Sequence, residues 1–584
     1  MPVSIRQGLT IDHIRHSLAH LLTMAVIKKF PKAKLGIGPV IENGFYYDFK
    51  LPKPLSEADL PELETAMRAL IAQKLAFEGE KITSLKARKI FEDQPFKLDL
   101  IKEFAKEKKQ LTIYRAGDFI DLCRGGHIKN TSEINPDAFK LTRIAGAYWR
   151  GDEKNPQLTR IYGVAFATKE ELEKYLWQQE EAKKRDHRAL GARLKLFTFS
   201  DLVGPGLPLW LPNGTRLRET IEHYAKKIEE QQGYQRVVTP HIAKEALYRT
   251  SGHIPYYAES MFPPMPLDDG NYYLKAMNCP HTHMIYKDEP RSWRDLPLRL
   301  AEYGTVYRHE LSGTLAGLLR TRSFTQNDAH IYCREDQVEE EFLNVMRLHE
   351  FWYKKVFSIK DFYMRLSLPL RDKKKYAGAP AGWKKAVELI RCAMKKSGLA
   401  YVEVEGEAAF YGPKVDFQIK SVIGREESCS TNQLDFLATQ QFNLTYKDKD
   451  GKDKPVYVIH RAPLGSHERF IAFLIEHYAG AFPVWLAPVQ AAVLPVGEKF
   501  AEYAKEVAGV LAKESVRAKL YDDAETLGKR IREAELQKIP YLLIVGEREA
   551  ATKTVAVRKH DKGDQGQMPI SQFLNVVKPL LPAA

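Results

Sequence analysis

Between residues 190 and 485, β-rich segments arrive in clusters separated by long charged helices, with no regular strand–helix–strand rhythm. The clusters fall at 272–275, 298–308, 325–332, 408–419 and 456–460. Parallel strands each need a crossover of a dozen or more residues, and this stretch does not supply them in step. It is expected to fold as an antiparallel sheet flanked by helices. The last hundred residues behave differently. VQAAVLPV, VRAKLYD and YLLIVG read as buried strands, with helices at 498–513 and 524–537 between them. That alternation predicts a compact α/β domain with parallel strands.

Residues 1–167 mix helices with short strands. A helical block follows at 168–188, where Thr168 and Glu171 form a capping box and Leu172 and Leu176 share one face. The chain, 584 residues long, exceeds what one core sustains, about 250–300 residues. The expected class is α+β multidomain: a region 1–167, a linker helix 168–189, a catalytic-type region 190–485 and a terminal domain 486–584. The last boundary lies in a stretch interrupted by Pro483, Pro488 and Pro495, which reads as linker and buried strand rather than membrane span.

Lysine and arginine outnumber acidic residues by 14, which favours a polyanionic partner over an ordinary basic surface. The five cysteines are odd in number and scattered, so no disulfide framework is expected and the cytoplasm is the expected compartment. The first residues, MPVSIRQGLTIDH, lack the apolar core of a signal peptide.

Three distant residues read as one metal site: Cys279 in KAMNCPHTHMIY, His330 in FTQNDAHIYC and His460 in VYVIHRAPLGSHERF. One thiolate and two imidazoles suit a zinc ion that keeps an open position. Any one such residue alone is more often plain core. His281 and His283 are rival ligands beside Cys279. Arg308, Arg320 and Arg469 are candidates for a phosphate clamp, because the planar guanidinium meets two oxygens at once. Each taken singly reads first as a surface salt bridge. Glu310, two residues from Arg308 on an expected strand, would point the same way and accept from an adenine amino group. Phe324 reads as a base-stacking ring or as core. No Gly-x-x-x-x-Gly-Lys-Ser/Thr sequence occurs, which argues against a P-loop enzyme.

The strings VYRHE, ending at Glu310, and FTQNDAH, ending at His330, with the loop between them, resemble the second signature of class II aminoacyl-tRNA synthetases. GSHER, ending at Arg469, resembles the third, and 218–240 the first, dimer-forming one. Together with MNCP and AFYGPKVDF they are similar to the threonyl-tRNA synthetase family across nearly the whole chain. The resemblance implies ATP-dependent ligation of L-threonine to tRNA(Thr) through a threonyl-adenylate, by a homodimer. It implies zinc, one per subunit, on Cys279, His330 and His460, with Mg2+ accompanying ATP. Arg308 would hold the α-phosphate, Glu310 read adenine, Phe324 stack on it, and Arg320 and Arg469 grip the outer phosphates. Gln326, Asp328 and Tyr411 would line the threonine site, and Lys414 would stabilise the reacting phosphates. No general base is needed, since the substrate carboxylate attacks ATP and catalysis is positioning plus charge neutralisation.

Zinc answers a selectivity problem. Valine nearly matches threonine in shape, whereas a site built to bind the hydroxyl rejects its absence by ~10⁴–10⁵. Serine carries the same amine and hydroxyl and is smaller, so a second, correcting site is expected. His16 and His20 lie four residues apart on one expected helical face, and Asp121–His127 supplies Cys123 and His127. Alone, this tetrad reads as a zinc site or as a satisfied polar cluster. The segment resembles the editing domain shared by threonyl- and alanyl-tRNA synthetases. That resemblance implies metal-free hydrolysis of Ser-tRNA and carries over His16, His20, Lys97, Asp121, Cys123 and His127. The terminal domain resembles the α/β anticodon-binding domain, with Lys529, Arg530 and Arg532 as candidate phosphate contacts.

Three departures from the family pattern stand out. The small leading domain usual in the family is not expected before the editing region, which begins near the first residue given. Gly126 replaces a common proline, which would loosen the loop of His127, and Thr282 replaces a common histidine near the zinc cysteine. Two other readings stay open: a class II synthetase for serine or proline, and a synthetase-like RNA-binding protein without catalysis.

Overall fold

The computed structural model describes residues 10–370, 376 and 379–581, so most of the N-terminal stretch read for a signal sequence lies outside the described residues. The chain forms two compact units, Met1–Glu180 and Glu181–Ala584.

In the first unit, the helix Ile11–Lys29 buries Leu18, Leu21, Leu22 and Val26. They pack with Phe45, Phe49 and Ile161 of a five-stranded antiparallel sheet, in which Gly44–Lys50 pairs Gln157–Ala165 and that strand pairs Phe139–Tyr148. Each such side chain withdrawn from water contributes about 1.5–3 kcal/mol. A second, three-stranded antiparallel sheet is made by Phe77–Ile82, Leu111–Ala116 and Phe119–Leu122. The helix Pro95–Lys106 opens with a proline in its first turn, where no backbone N–H is missed, and Lys97 follows in the same turn.

The linker helix runs Lys169–Arg185, with the capping box in place: Glu171 N–H donates to Thr168 Oγ1 at 3.2 Å and Thr168 N–H to Glu171 Oε2 at 3.4 Å. It stops before the expected 188 because Asp186 caps a new helix, His187–Arg193, accepting from Arg188 N–H at 2.8 Å.

The second unit is organised on an eight-stranded sheet, antiparallel except at its two edges. Leu298–Tyr307, Ser323–Cys333, Tyr457–Ala462, Glu426–Asp435 and Lys414–Lys420 lie side by side in that order. The strand expected from 408 begins only at Lys414, because Ala409 and Gly412 close a tight turn on themselves. The register matters most. Lys414 pairs Gln433, Gln433 pairs His460, and His460 pairs His330, so four side chains from four strands line up on one face. The opposite face packs on helices Val338–Glu350 and His467–His477 through Phe342, Met346, Ile459 and Ile471.

In the terminal sheet Ala518–Leu520, Ala491–Pro495 and Tyr541–Val545 are parallel, as expected. Two further strands, Thr554–Lys559 and Gly563–Pro569, add an antiparallel hairpin that the expected all-parallel arrangement lacked. Its turn places Asp561 at φ 65°, a conformation open to aspartate. Arg530 is buried and donates to Tyr521 O at 2.7 Å, which removes it from the surface phosphate contacts, whereas Lys529 and Arg532 are exposed. Arg517 ties the proline-rich stretch to this sheet, donating to Trp485 O at 2.7 Å and Ala487 O at 2.8 Å.

Candidate active sites and metal centre

The strand Leu298–Tyr307 ends one residue before Arg308, and Glu310 N–H turns back onto Arg308 O at 2.8 Å. Arg308 and Glu310 therefore sit on a tight turn rather than on the expected strand, yet both line one cavity of about 290 Å³. Arg320, Phe324, Lys414 and Arg469 line it as well. Arg308 lies 4.9 Å from the Phe324 ring centre, covering one face of it. Arg469 Nε donates to Leu319 O at 3.2 Å, anchoring the loop between the two signature strings. Arg320 is paired with Glu310, 2.8 Å from its Oε2. The two residues read as serving opposite ends of a nucleotide thus hold each other. Lys414 Nζ is 3.0 Å from Asp416 Oδ2, and Arg365 reaches the same oxygen at 3.4 Å.

Gln326 borders this cavity, and Tyr411 and Asp328 lie toward the metal cluster. Tyr411 OH donates to Gln433 Oε1. Asn278 Nδ2 donates to Asp328 Oδ2 at 3.0 Å. That approach depends on Gly304, where a Cβ would stand 2.2 Å from Asn278 Oδ1. Burial pushes the Asp328 carboxyl up to about 6.

Cys279 opens the helix Cys279–Lys287, and its sulfur meets His330 and His460 so that one ligand atom from each lies within 4.8 Å of the others. All three are buried. Burial pushes the Cys279 thiol up and the His330 imidazolium down, so neither carries charge on its own. His330 Nε2 has no hydrogen-bond partner among the described residues. A sulfur and two imidazoles, one with an orphaned buried nitrogen, fit zinc. Asp435 Oδ2 lies 3.1 Å from His460 Nε2, the carboxylate that metal-bound histidines commonly use to fix the ring. His283, Asp435 and His460 form a second group that could hold an ion. His283 Nδ1, however, is engaged by Tyr332 OH at 2.9 Å. His281 joins neither group. Thr282 turns its hydroxyl back to Asn278 O at 3.3 Å.

In the first unit His16, His20, Cys123 and His127 also come within 4.8 Å of one another. Cys123 Sγ is 3.4 Å from His16 Nε2 and 3.2 Å from His127 Nε2. Burial lowers all three imidazoles and pushes the Cys123 thiol up to about 11, leaving a neutral cluster. Beside it Lys97 Nζ lies 2.5 Å from Asp121 Oδ1, and both groups meet Tyr47 OH, at 2.9 and 2.6 Å. His16, His20, Lys97, Asp121 and Cys123 line a single cavity. Gly126 sits at φ 86°, which proline cannot adopt. The substitution expected to loosen the loop leaves His127 held by Ser17 Oγ and Cys123 Sγ, both at 3.2 Å.

The sequence reading missed Tyr47, Asn278, Gln433, Asp435, Arg365 and Asp416. Only Asn278, inside MNCP, and Asp416, inside YGPKVDF, stood within strings already singled out.

Comparison with known proteins fixes the class. Residues 264–478 match the class II core domain of the G, H, P, S and T tRNA synthetases, 490–580 an anticodon-binding domain, and 111–162 the second additional domain of threonyl- and alanyl-tRNA synthetases. The protein is a class II aminoacyl-tRNA synthetase with an editing-type domain. Threonine–tRNA ligase of Thermus thermophilus is 49% identical over 96% of this chain and 87% of its own length. That of Gloeobacter violaceus is 48% identical over 97% and 91%. A crystal structure titled as the RNA-binding domain of the Cryptosporidium parvum threonyl-tRNA synthetase superposes with a TM-score of 0.65 at 36% identity, covering 68% of this chain and 99% of that one. The chain belongs to the threonine–tRNA ligase family. No helix among the described residues is long and apolar enough to cross a membrane.

Proposed function

We propose that the enzyme activates L-threonine with ATP, transfers it to tRNA(Thr), and hydrolyses Ser-tRNA(Thr) at the cluster in its first unit. One observation carries the reading: the register that sets His330 against His460, with Cys279 beside them, opens next to a cavity where Arg308, Arg320 and Arg469 converge. The threonine carboxylate attacks the α-phosphorus, the bond from it to the bridging oxygen of the β-phosphate breaks, and pyrophosphate leaves; Mg2+ would accompany ATP and offset phosphate charge. A ribose hydroxyl of the tRNA then attacks the acyl carbonyl and AMP departs. Arg308 and Lys414 neutralise charge at the α-phosphate, and Arg320 and Arg469 at the outer ones. Glu310 selects the adenine amino group once Arg320 releases it, and Phe324 offers its ring to the base. Gln326, Asp328 and Tyr411 orient the amino acid.

Cys279, His330 and His460 would hold zinc, which supplies an open position for the amine and hydroxyl that threonine has, valine lacks in part and serine shares. In the first unit His16 and Lys97 position water and leaving group, with His20, Asp121, Cys123 and His127 shaping the cavity and no metal required. Residues 218–240 carry the dimer contact; within them Val238, 91% exposed, is apolar surface that a partner subunit would cover. The working division is 1–167 for editing, 168–189 as linker, 190–485 for catalysis and 486–584 for anticodon binding, in the cytoplasm.

ATP–pyrophosphate exchange tests the reading. Exchange with threonine and serine but not valine is expected. Absence of exchange would leave a tRNA-binding protein without catalysis, against which Arg308 and Arg469 argue. Sedimentation as a monomer would reject the dimer.

A further inference from the structure

His187 stands outside the nucleotide cavity, yet it holds the loop that forms the cavity's wall. The ring is buried at the start of the helix His187–Arg193. Its Nδ1 lies 2.8 Å from Glu476 Oε1, and Leu318 N–H donates to its Nε2 at 3.2 Å. A carboxylate only accepts and a backbone N–H only donates, so the geometry requires the neutral ring with its proton on Nδ1. Glu476 is held in turn: Arg425 Nη2 donates to its other oxygen at 3.0 Å, and Arg185 reaches its backbone oxygen at 3.2 Å.

The loop end of this chain is lightly anchored. From Leu311 to Arg320 only Leu318 is buried. Gly317, at φ 53°, presses on the ring so closely that a Cβ there would stand 2.3 Å from His187 Nε2. Leu319 and Arg320 face the cavity: Leu319 O accepts from Arg469, and Arg320 pairs with Glu310. Those two ties belong to groups that a nucleotide would engage. His187 is a tie at Leu318 that ligand binding leaves in place.

We infer that His187 is a positioning residue for ATP: it fixes the height of the loop at Leu318 and thereby the reach of Arg320 into the cavity. The inference rests on the activation reading above. Asparagine at this position can still donate to Glu476 but has no atom at the Nε2 position, whereas glutamine can place an accepting oxygen there. In ATP–pyrophosphate exchange by the full chain, His187→Asn is expected to raise KM for ATP about tenfold, the scale of one lost hydrogen bond, with KM for threonine unchanged. His187→Gln should recover most of that loss. Amide hydrogen exchange across 315–319 should quicken in His187→Asn and remain wild-type in His187→Gln. An unchanged KM for ATP in His187→Asn would overturn the inference, as would parallel losses for both substrates that glutamine does not restore. Should His187→Asn not fold, Gly317→Ala forces the loop and the ring apart and must show the same ATP-selective defect. A wild-type enzyme without exchange would instead refute the activation reading.

Discussion

Lys97 Nζ and Asp121 Oδ1 stand 2.5 Å apart with both side chains withdrawn from solvent, and Tyr47 OH touches each group. The hydroxyl donates to Asp121 and accepts from Lys97, so it fixes the ammonium's direction into the cavity that His16 and His20 also line. Tyr47→Phe keeps the ring and removes that bridge. Deacylation of Ser-tRNA should slow about tenfold or more, the usual scale for losing an orienting partner, while threonine activation stays intact. Equal deacylation by the variant would make Tyr47 packing alone. Lys97→Met is the harsher change: it strands a buried carboxylate and should destabilise the first unit by about 3–5 kcal/mol.

The metal assignment is tested through Asp435 as well as through the ligands. Cys279→Ser should abolish bound zinc and threonine activation together. Asp435→Asn keeps all three ligands but weakens the hold on the His460 ring, and should lower zinc affinity about 10–100-fold. Metal counting on the wild-type protein should return one zinc per subunit. Two would mean that the His16, His20, Cys123 and His127 cluster is also loaded.

Much of this was legible because it is local. His16 and His20 share a helix face, and Arg308 and Glu310 stand two residues apart within one string. What stayed hidden depends on register and long closure. Tyr47 and Asp121 are 74 residues apart, and a tyrosine in the strand Gly44–Lys50 reads as core until the fold brings an acid to it. Gln433 enters only because its strand pairs with His460 on one side and Lys414 on the other. A one-residue slip would have turned it to the far face. The terminal hairpin was missed for a related reason: it follows three parallel strands whose rhythm suggested more of the same.

The Arg320–Glu310 pair must open if both residues serve a nucleotide. The pair is partly exposed, so its own contribution is small, about 0–1 kcal/mol. Arg320→Ala should therefore leave the melting temperature nearly unchanged yet raise KM for ATP about tenfold or more. Glu310→Gln should release the arginine and weaken the preference for adenine over guanine nucleotides. An unaltered base preference would show that Glu310 serves the loop rather than the base.

Glu468 supplies a pH test away from the metal ligands. It is 3% exposed, and its Oε2 accepts from Thr325 N–H at 2.9 Å. Burial pushes its carboxyl up to about 7 from an ordinary 4.5, despite opposing help from Arg218 and the backbone. Below pH 4.5 the group is protonated in both folded and unfolded chains and costs nothing. Between 4.5 and 7 the folded state holds its proton more tightly, so stability falls as pH rises, and above 7 the full penalty of roughly 3 kcal/mol applies. Glu468→Gln stays neutral throughout and can still accept from Thr325. Its advantage over wild type in urea unfolding, followed by tryptophan fluorescence, should grow from pH 4.5 to about pH 7 and level off above it. A difference independent of pH would show that Glu468 ionises normally in the folded chain, with Arg218 offsetting its burial in full.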